Sequence, residues 1–193
     1  MWTAPVQEGN AKMSSSKHVV LGVTGSIAAY KAAELVRLIK VRKWAVSVVM
    51  TRAATEFITP LTLCTLSQNP VAVDMFAETE DWRPEHISLA DRADVLAIAP
   101  CTANVLAKLA HGIADDMLTA TALACRAPLV IAPAMNEKMW DHAATQANLA
   151  VLRQRGAHIV DVGSGDLACG YLGRGRMADL GEIMAVLEKL MGP

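Results

Sequence analysis

The chain of 193 residues carries 18 basic and 19 acidic side chains, a formal charge of −1, and is 53% hydrophobic but only 4% aromatic. No run of Lys or Arg offers an electrostatic grip on nucleic acid, and apolar segments such as "ADVLAIAP" fall far short of the ~20 residues a helix needs to cross a bilayer. The length suits one domain with a substantial core, and the abundance of Ala, Val, Leu and Ile suits an α/β sheet clothed by helices, with apolar surface hidden between subunits as a second reading.

The start, "MWTAPVQEGNAKMSSSK", lacks the apolar stretch of a secretory signal. Residues 1–16 read as a disordered extension, or a tag remnant before Met13, ahead of a single domain over 17–193. "HVVLGV" (18–23) is a β-branched apolar run of the kind that forms a buried parallel strand. "SIAAYKAAELVRLIK" then has helical period, with Ala28, Ala32, Leu35 and Ile39 on one stripe and Tyr30, Glu34 and Arg37 away from it. "WAVSVVM" (44–50) is the second strand, "TRAATEFI" opens a helix capped by Thr51, and "VAVDMF" reads as a short further strand.

Beyond a polar connection, "HISLADRA" (86–93) predicts a short helix and "DVLAIAP" (94–100) the clearest strand of the chain. Helical material follows, interrupted near Gly112. "APLVIAP" (127–133) is another buried strand, and one helix is expected through "NEKMWDHAATQANLAVLRQRG", closed by Gly156. "AHIVDV" makes the last strand before a glycine-rich loop. The final helix places Leu180, Ile183, Leu187 and Leu190 on one face, with Asp179 and Glu182 spaced as a capping box. Such alternation, with no internal repeat or long linker, predicts an α/β fold of three layers: a flavodoxin-like or Rossmann-like, doubly wound, mostly parallel sheet. Right-handed crossovers then put the strand carboxyl ends on one edge, where ligands bind.

The polar residues of interest fall at those ends. In "GVTGSIAAYK", Gly25 would let the backbone approach a ligand, while Ser26 and the open N–H groups of the first helical turn would favour an anion. The turn matches neither G-x-G-x-x-G nor a Walker A sequence, and glycines also serve packing at such turns. "APCTAN" and "APAMN" each run from a strand through Ala-Pro into polar groups at a helix start. Thr102, Asn104 and Asn136 can hydrogen-bond a heterocycle or phosphate there, or act simply as N-caps.

Cys64, Cys101, Cys125 and Cys169 form no C-x-x-C pair, which argues against zinc or a disulfide framework and for reduced thiols in the cytoplasm. The first three sit among apolar neighbours and are expected to pack in the core. Cys169 differs: in "GSGDLACGYLGRGRMAD" it lies among Gly165, Gly170, Gly173 and Gly175. His86 is one of five histidines, and nothing in its spacing singles it out.

Taken together, "GVTGSIAAYK", "HISLADRADVLAIAP", "TANVLAKLAHGIADDMLT", "PAMNEKMW" and "ACGYLGRGRM" resemble the homo-oligomeric flavin-containing cysteine decarboxylases over residues 17–190. The resemblance implies a subunit that binds FMN and assembles as trimers or trimer-based dodecamers, with small-molecule substrate and neither nucleic-acid nor membrane partners. It assigns the cofactor to Gly25, Ser26, Ile27, Thr51, Thr102, Ala103, Asn104, Val105, Ala134 and Met135. His86, contributed across a subunit boundary, and Cys169 become the catalytic residues; Asn136, Ala168 and Gly170 become substrate-binding.

The activity implied is decarboxylation of 4′-phosphopantothenoylcysteine to 4′-phosphopantetheine in coenzyme A biosynthesis, through transient oxidation of the thiol to a thioaldehyde, loss of CO2 and re-reduction of the enethiolate. His86 would handle the thiol proton, Asn136 the carboxylate, and Cys169 the final proton, carried on a lid hinged by the four glycines. Decarboxylation of a peptide's C-terminal cysteine is the alternative. Flavin prenyl transfer has no use for the "PAMN" and "ACG" pair, and a non-enzymatic phosphatase regulator typically carries an acidic extension that is missing here.

Overall fold

In the computed structural model, which describes residues 17–77, 82–166 and 172–192, the β-branched run becomes β1 (His18–Val23), buried along nearly its whole length. A single 3₁₀ turn (Ile27–Tyr30) leads into α1 (Lys31–Val41), whose buried stripe is Ala32, Leu35, Val36 and Ile39. Then come β2 (Ala45–Met50), the one-turn α2 (Arg52–Thr55), α3 (Pro60–Ser67) and a two-residue β3 (Val71–Ala72). Next follow α4 (Glu85–Arg92), β4 (Val95–Cys101) and α5 (Ala103–His111), which stops where Gly112 turns left-handed at φ 70°. A capping box between Asp116 and Thr119 starts α6 (Met117–Ala124), ahead of β5 (Leu129–Pro133).

The single helix expected after β5 is two helices, α7 (Glu137–Trp140) and α8 (Ala143–Gln154). The break comes from side chains competing for backbone groups. His142 Nδ1 accepts from Ala144 N–H at 3.2 Å and begins a new helix, while Gln146 Nε2 donates to the Trp140 carbonyl at 2.6 Å and closes the old one. After β6 (His158–Ile159) comes a ribbon of β7 (Gly163–Asp166) and β8 (Leu172–Arg176), paired antiparallel. Gly165, Gly173 and Gly175 therefore lie in paired strands, which corrects the expectation of a loose loop hinged at these positions. The Asp179–Glu182 capping box opens α9 (Leu180–Met191) as expected.

The main sheet is parallel throughout, in the order β3-β2-β1-β4-β5-β6. Alternate residues of each strand feed two cores. Val19, Leu21, Val46, Val48, Val95 and Ala97 face α1, α3 and α9. Val20, Leu96, Ile98 and Ile131 face α4, α5, α6 and α8. Three layers result, as the alternation predicts. Of the three cysteines expected in the core, Cys101 is fully buried, whereas Cys64 and Cys125 are only half-buried. Residues 1–16 and the Ala168-Cys169-Gly170 triplet lie outside the described residues.

Candidate functional site

Chain direction across the sheet reverses between β1 and β4, and a crevice opens outside their carboxyl ends. Thr24, fully buried, ties the two ends together. Its hydroxyl donates to the Pro100 carbonyl at 2.7 Å and accepts from Thr102 N–H at 3.0 Å. Each neighbouring corner is set by a local cap. Ser26 Oγ accepts from Ala28 N–H, Thr51 Oγ1 from Ala54 N–H and Thr102 Oγ1 from Val105 N–H, all at 3.3 Å, and Asn136 Oδ1 from Lys138 N–H at 2.9 Å. Capping and site roles thus coincide: the caps fix these polar groups along one edge.

Two clefts of about 610 and 570 Å³ open on that edge and share Gly25, Thr102, Ala103 and Met139 on their walls. Every one of the cofactor-binding candidates lines one or the other. Ser26, Ile27, Ala134 and Met135 line the larger; Thr51, Asn104 and Val105 line the smaller. Asn136 lines the larger. Gly25 borders both, yet the neighbour that forbids a side chain is Ala53, whose Cβ lies 2.6 Å from where a Cβ on Gly25 would be.

The charges of the two clefts differ. In the smaller, Arg52 pairs with Asp74 at 3.0 Å, and Lys108 with Asp115 at 2.6 Å and Asp116 at 3.2 Å, so both its cations are already paired with carboxylates. The Phe76 N–H, and after it the Arg52 guanidinium, hold the Asp74 carboxyl below the ordinary range. Along the larger cleft no described lining residue is acidic, and Lys31 and Arg176 supply positive charge. Apolar Ile27, Ala134, Met135 and Met139, with helix-start donors at Ser26 and Thr102, make this edge fit a planar heterocycle bearing an anionic phosphate.

The ribbon forms one wall. Met135 N–H donates to the Gly175 carbonyl at 2.9 Å, and Arg174 N–H to Glu137 Oε1 at 3.2 Å. A Cβ on Gly173 would lie 2.7 Å from the Glu137 carboxylate. Thr24, Lys31, Met139 and Arg176 were not among the residues expected from sequence, and Gly175 was expected only as a hinge. Lys31 had a signal in its place at the helix start, and the Thr24 bond had none.

His86 stands in the first turn of α4, half-buried, and lines neither cleft. Within one chain it is not brought to Asn136 and the cofactor candidates. Cys169, Ala168 and Gly170 fall outside the described residues. Burial pushes the Cys101 thiol far above the ordinary thiol range, leaving it inert beside the cleft. Among the described residues no cluster could hold a metal ion, and no helix is long and apolar enough to cross a membrane.

The sequence profile of the flavoprotein family matches residues 7–192. The chain is 46% identical over 177 residues to the coenzyme A biosynthesis bifunctional protein CoaBC of Bacillus subtilis, an alignment covering 92% of this chain and 44% of that protein. It thus spans less than half the length of that relative. It is 45% identical over 176 residues to a probable phosphopantothenoylcysteine decarboxylase of Streptococcus mutans, covering 90% of this chain and 98% of that one. Among solved structures, a cysteine-to-serine mutant of a PPC decarboxylase complexed with pantothenoylaminoethenethiol superposes with a TM-score of 0.80 at 31% identity, over 90% of this chain and 97% of that one. The FMN-dependent cysteine decarboxylase SpaF gives 0.78 at 34% identity, over 92% and 99%.

Proposed function

The chain belongs to the flavoprotein family, and from that premise we propose that it binds FMN in the paired clefts and decarboxylates 4′-phosphopantothenoylcysteine to 4′-phosphopantetheine in coenzyme A biosynthesis. The observation that carries this reading is the gathering of every cofactor candidate, with Asn136, along the edge where β1 and β4 part. The near-complete coverage of the Streptococcus mutans relative, the probable phosphopantothenoylcysteine decarboxylase, supports the substrate.

Bound FMN supplies a two-electron sink that no protein side chain offers. Ser26, Thr51, Thr102 and Asn104 would hold its polar groups, and Ala134 and Met135 would wall its ring. Asn136 orients the substrate carboxylate through its amide, adding no charge to stabilise the group that must leave. Once the CH2–SH carbon is oxidised to C=S, the carboxylate stands β to an electron acceptor. CO2 departs with its bonding pair delocalised into an enethiolate. Two electrons and two protons would then return to the enethiolate carbons, one proton travelling with the electron pair and the other given by the Cys169 thiol as acid, and the thiol proton would go back to sulfur, so the reaction is redox-neutral. Imidazole titrates nearest to neutral pH of the common side chains, and His86 takes the thiol proton.

The absence of His86 from both cleft walls supports its serving a neighbouring copy in a homo-oligomer, a trimer or a dodecamer. The exposed rim of Ile27 and Tyr30, each 61% accessible in the single chain, supports cover by a second subunit. The three cysteines among the described residues are free thiols, which suits the cytoplasm.

SpaF is described as a cysteine decarboxylase, which leaves open what carries the cysteine and keeps one other reading in view, decarboxylation of a peptide's C-terminal cysteine. FMN-loaded protein incubated in parallel with 4′-phosphopantothenoylcysteine and a cysteine-ending peptide decides between them. CO2 from the first substrate is the expected result. CO2 from the peptide alone would transfer the assignment, and none from either would end it.

A further inference from the structure

We propose that Arg176 determines specificity by binding the phosphate of the substrate, a role that rests on the decarboxylase reading above. Arg176 ends β8 and lines the larger cleft with Asn136. The cleft offers two cations and no acid among its described lining residues, so it selects an anionic ligand. Lys31 lies at the start of α1, beside the Ser26 turn proposed for the cofactor phosphate. Arg176 stands on the ribbon wall instead.

That wall is fixed to the Asn136 corner on both sides of the asparagine. Met135 N–H bonds the Gly175 carbonyl at 2.9 Å, and Glu137 accepts from Arg174 N–H at 3.2 Å. The Arg176 side chain runs across the ribbon over Gly165, with Nη1 3.4 Å and Cδ 3.9 Å from where a Cβ on that glycine would sit. Its side chain is 48% exposed, and its ion pair with Asp179 is long, at 3.9 Å. A half-exposed guanidinium on a braced strand keeps its planar fork available to a tetrahedral dianion.

The chemistry favours the phosphate over the carboxylate. A fixed cation on the carboxylate would stabilise the charge that must disperse as CO2 leaves, and so raise the barrier. The phosphate is unchanged through the reaction, so a cation there strengthens ground and transition states alike. Its contribution therefore appears in KM.

The test is a cycle of two proteins and two substrates. FMN-loaded wild type and Arg176→Gln are each assayed with 4′-phosphopantothenoylcysteine and with its unphosphorylated counterpart, and FMN affinity is followed by fluorescence quenching. Wild type should prefer the phosphorylated substrate in kcat/KM by about tenfold to a hundredfold. In Arg176→Gln that preference should collapse toward unity through KM, with FMN affinity unchanged, and Arg176→Lys should restore part of it. Equal losses on both substrates would overturn the proposal, because carboxylate binding or a bracing role makes no distinction between them. A retained preference, or weakened FMN binding, would overturn it as well. Wild type inert toward both substrates would overturn the decarboxylase reading and this proposal together.

Discussion

The carbonyl of Gly175 accepts a hydrogen bond from Met135 N–H, and a Cβ on Gly175 would run into the Met135 carbonyl oxygen. The ribbon and the strand corner thus meet backbone to backbone, and residue 175 also holds φ 121°. Replacing Gly175 with Ala adds backbone strain to a collision with a rigid partner, and should destabilise the fold by about 2 kcal/mol or more. Gly112 makes the control: its φ is 70° but a Cβ there meets nothing within 4 Å. Gly112→Ala should cost only about 1 kcal/mol. Urea denaturation of both variants measures the difference, and equal costs would show that the close approach at Gly175 is relaxed without penalty.

Asn136 caps α7 through Oδ1, a task an aspartate performs equally well at a helix start. Asn136→Asp should therefore keep this cap while placing a negative charge where the substrate carboxylate is proposed to bind. A fall in kcat/KM of about a hundredfold or more is expected. Near-normal turnover would remove the carboxylate role from Asn136.

By the proposed function, His86 and Asn136 are partners across a subunit boundary. Co-expressing His86→Ala with Asn136→Asp should regain part of the wild-type rate relative to either variant alone, because mixed oligomers contain some sites with both residues intact. The recovered rate measures this. No recovery in oligomers shown to be mixed would place His86 outside the neighbour's site.

At the opposite edge of the sheet, His18 is half-buried and its Nε2 lies 2.9 Å from Ser47 Oγ. Burial lowers its pKa, with the Arg92 charge adding to the effect and Asp94 opposing it. The folded state therefore takes up this proton at lower pH than the unfolded state does. The stabilisation is present above the ordinary value of 6.5 and is lost as pH falls through the folded-state value. His18→Gln should flatten the acid side of the stability curve below about pH 6.5. Denaturation midpoints across that range measure it, and parallel curves for the two proteins would exclude His18 as a source.

Much of this architecture was legible from sequence because its signals are local. β-branched runs become the central strands, and Ser26, Thr51, Thr102 and Asn136 cap the segments that follow them. Those same caps gather the cofactor candidates on one edge. What escaped was nonlocal. "GSGD" and "LGRGR" carry little strand signal, yet they pair as a ribbon whose Gly173 and Gly175 are explained only by Glu137 and Met135 lying against them. The periodicity across "NEKMWDHAATQ" gives no sign of the break at His142, which depends on a side-chain cap. The Thr24 hydroxyl joins two strands distant in sequence, and no pattern around it announces that bond.

The most direct measurement is the product balance of FMN-loaded protein with 4′-phosphopantothenoylcysteine in the absence of oxygen, for wild type and Cys169→Ser. The predicted result is one CO2 for each fully reduced 4′-phosphopantetheine in wild type, and CO2 release that halts at the oxidised enethiol in the variant. Decarboxylation that requires an added oxidant, or a variant that completes the reaction at the wild-type rate, would contradict it.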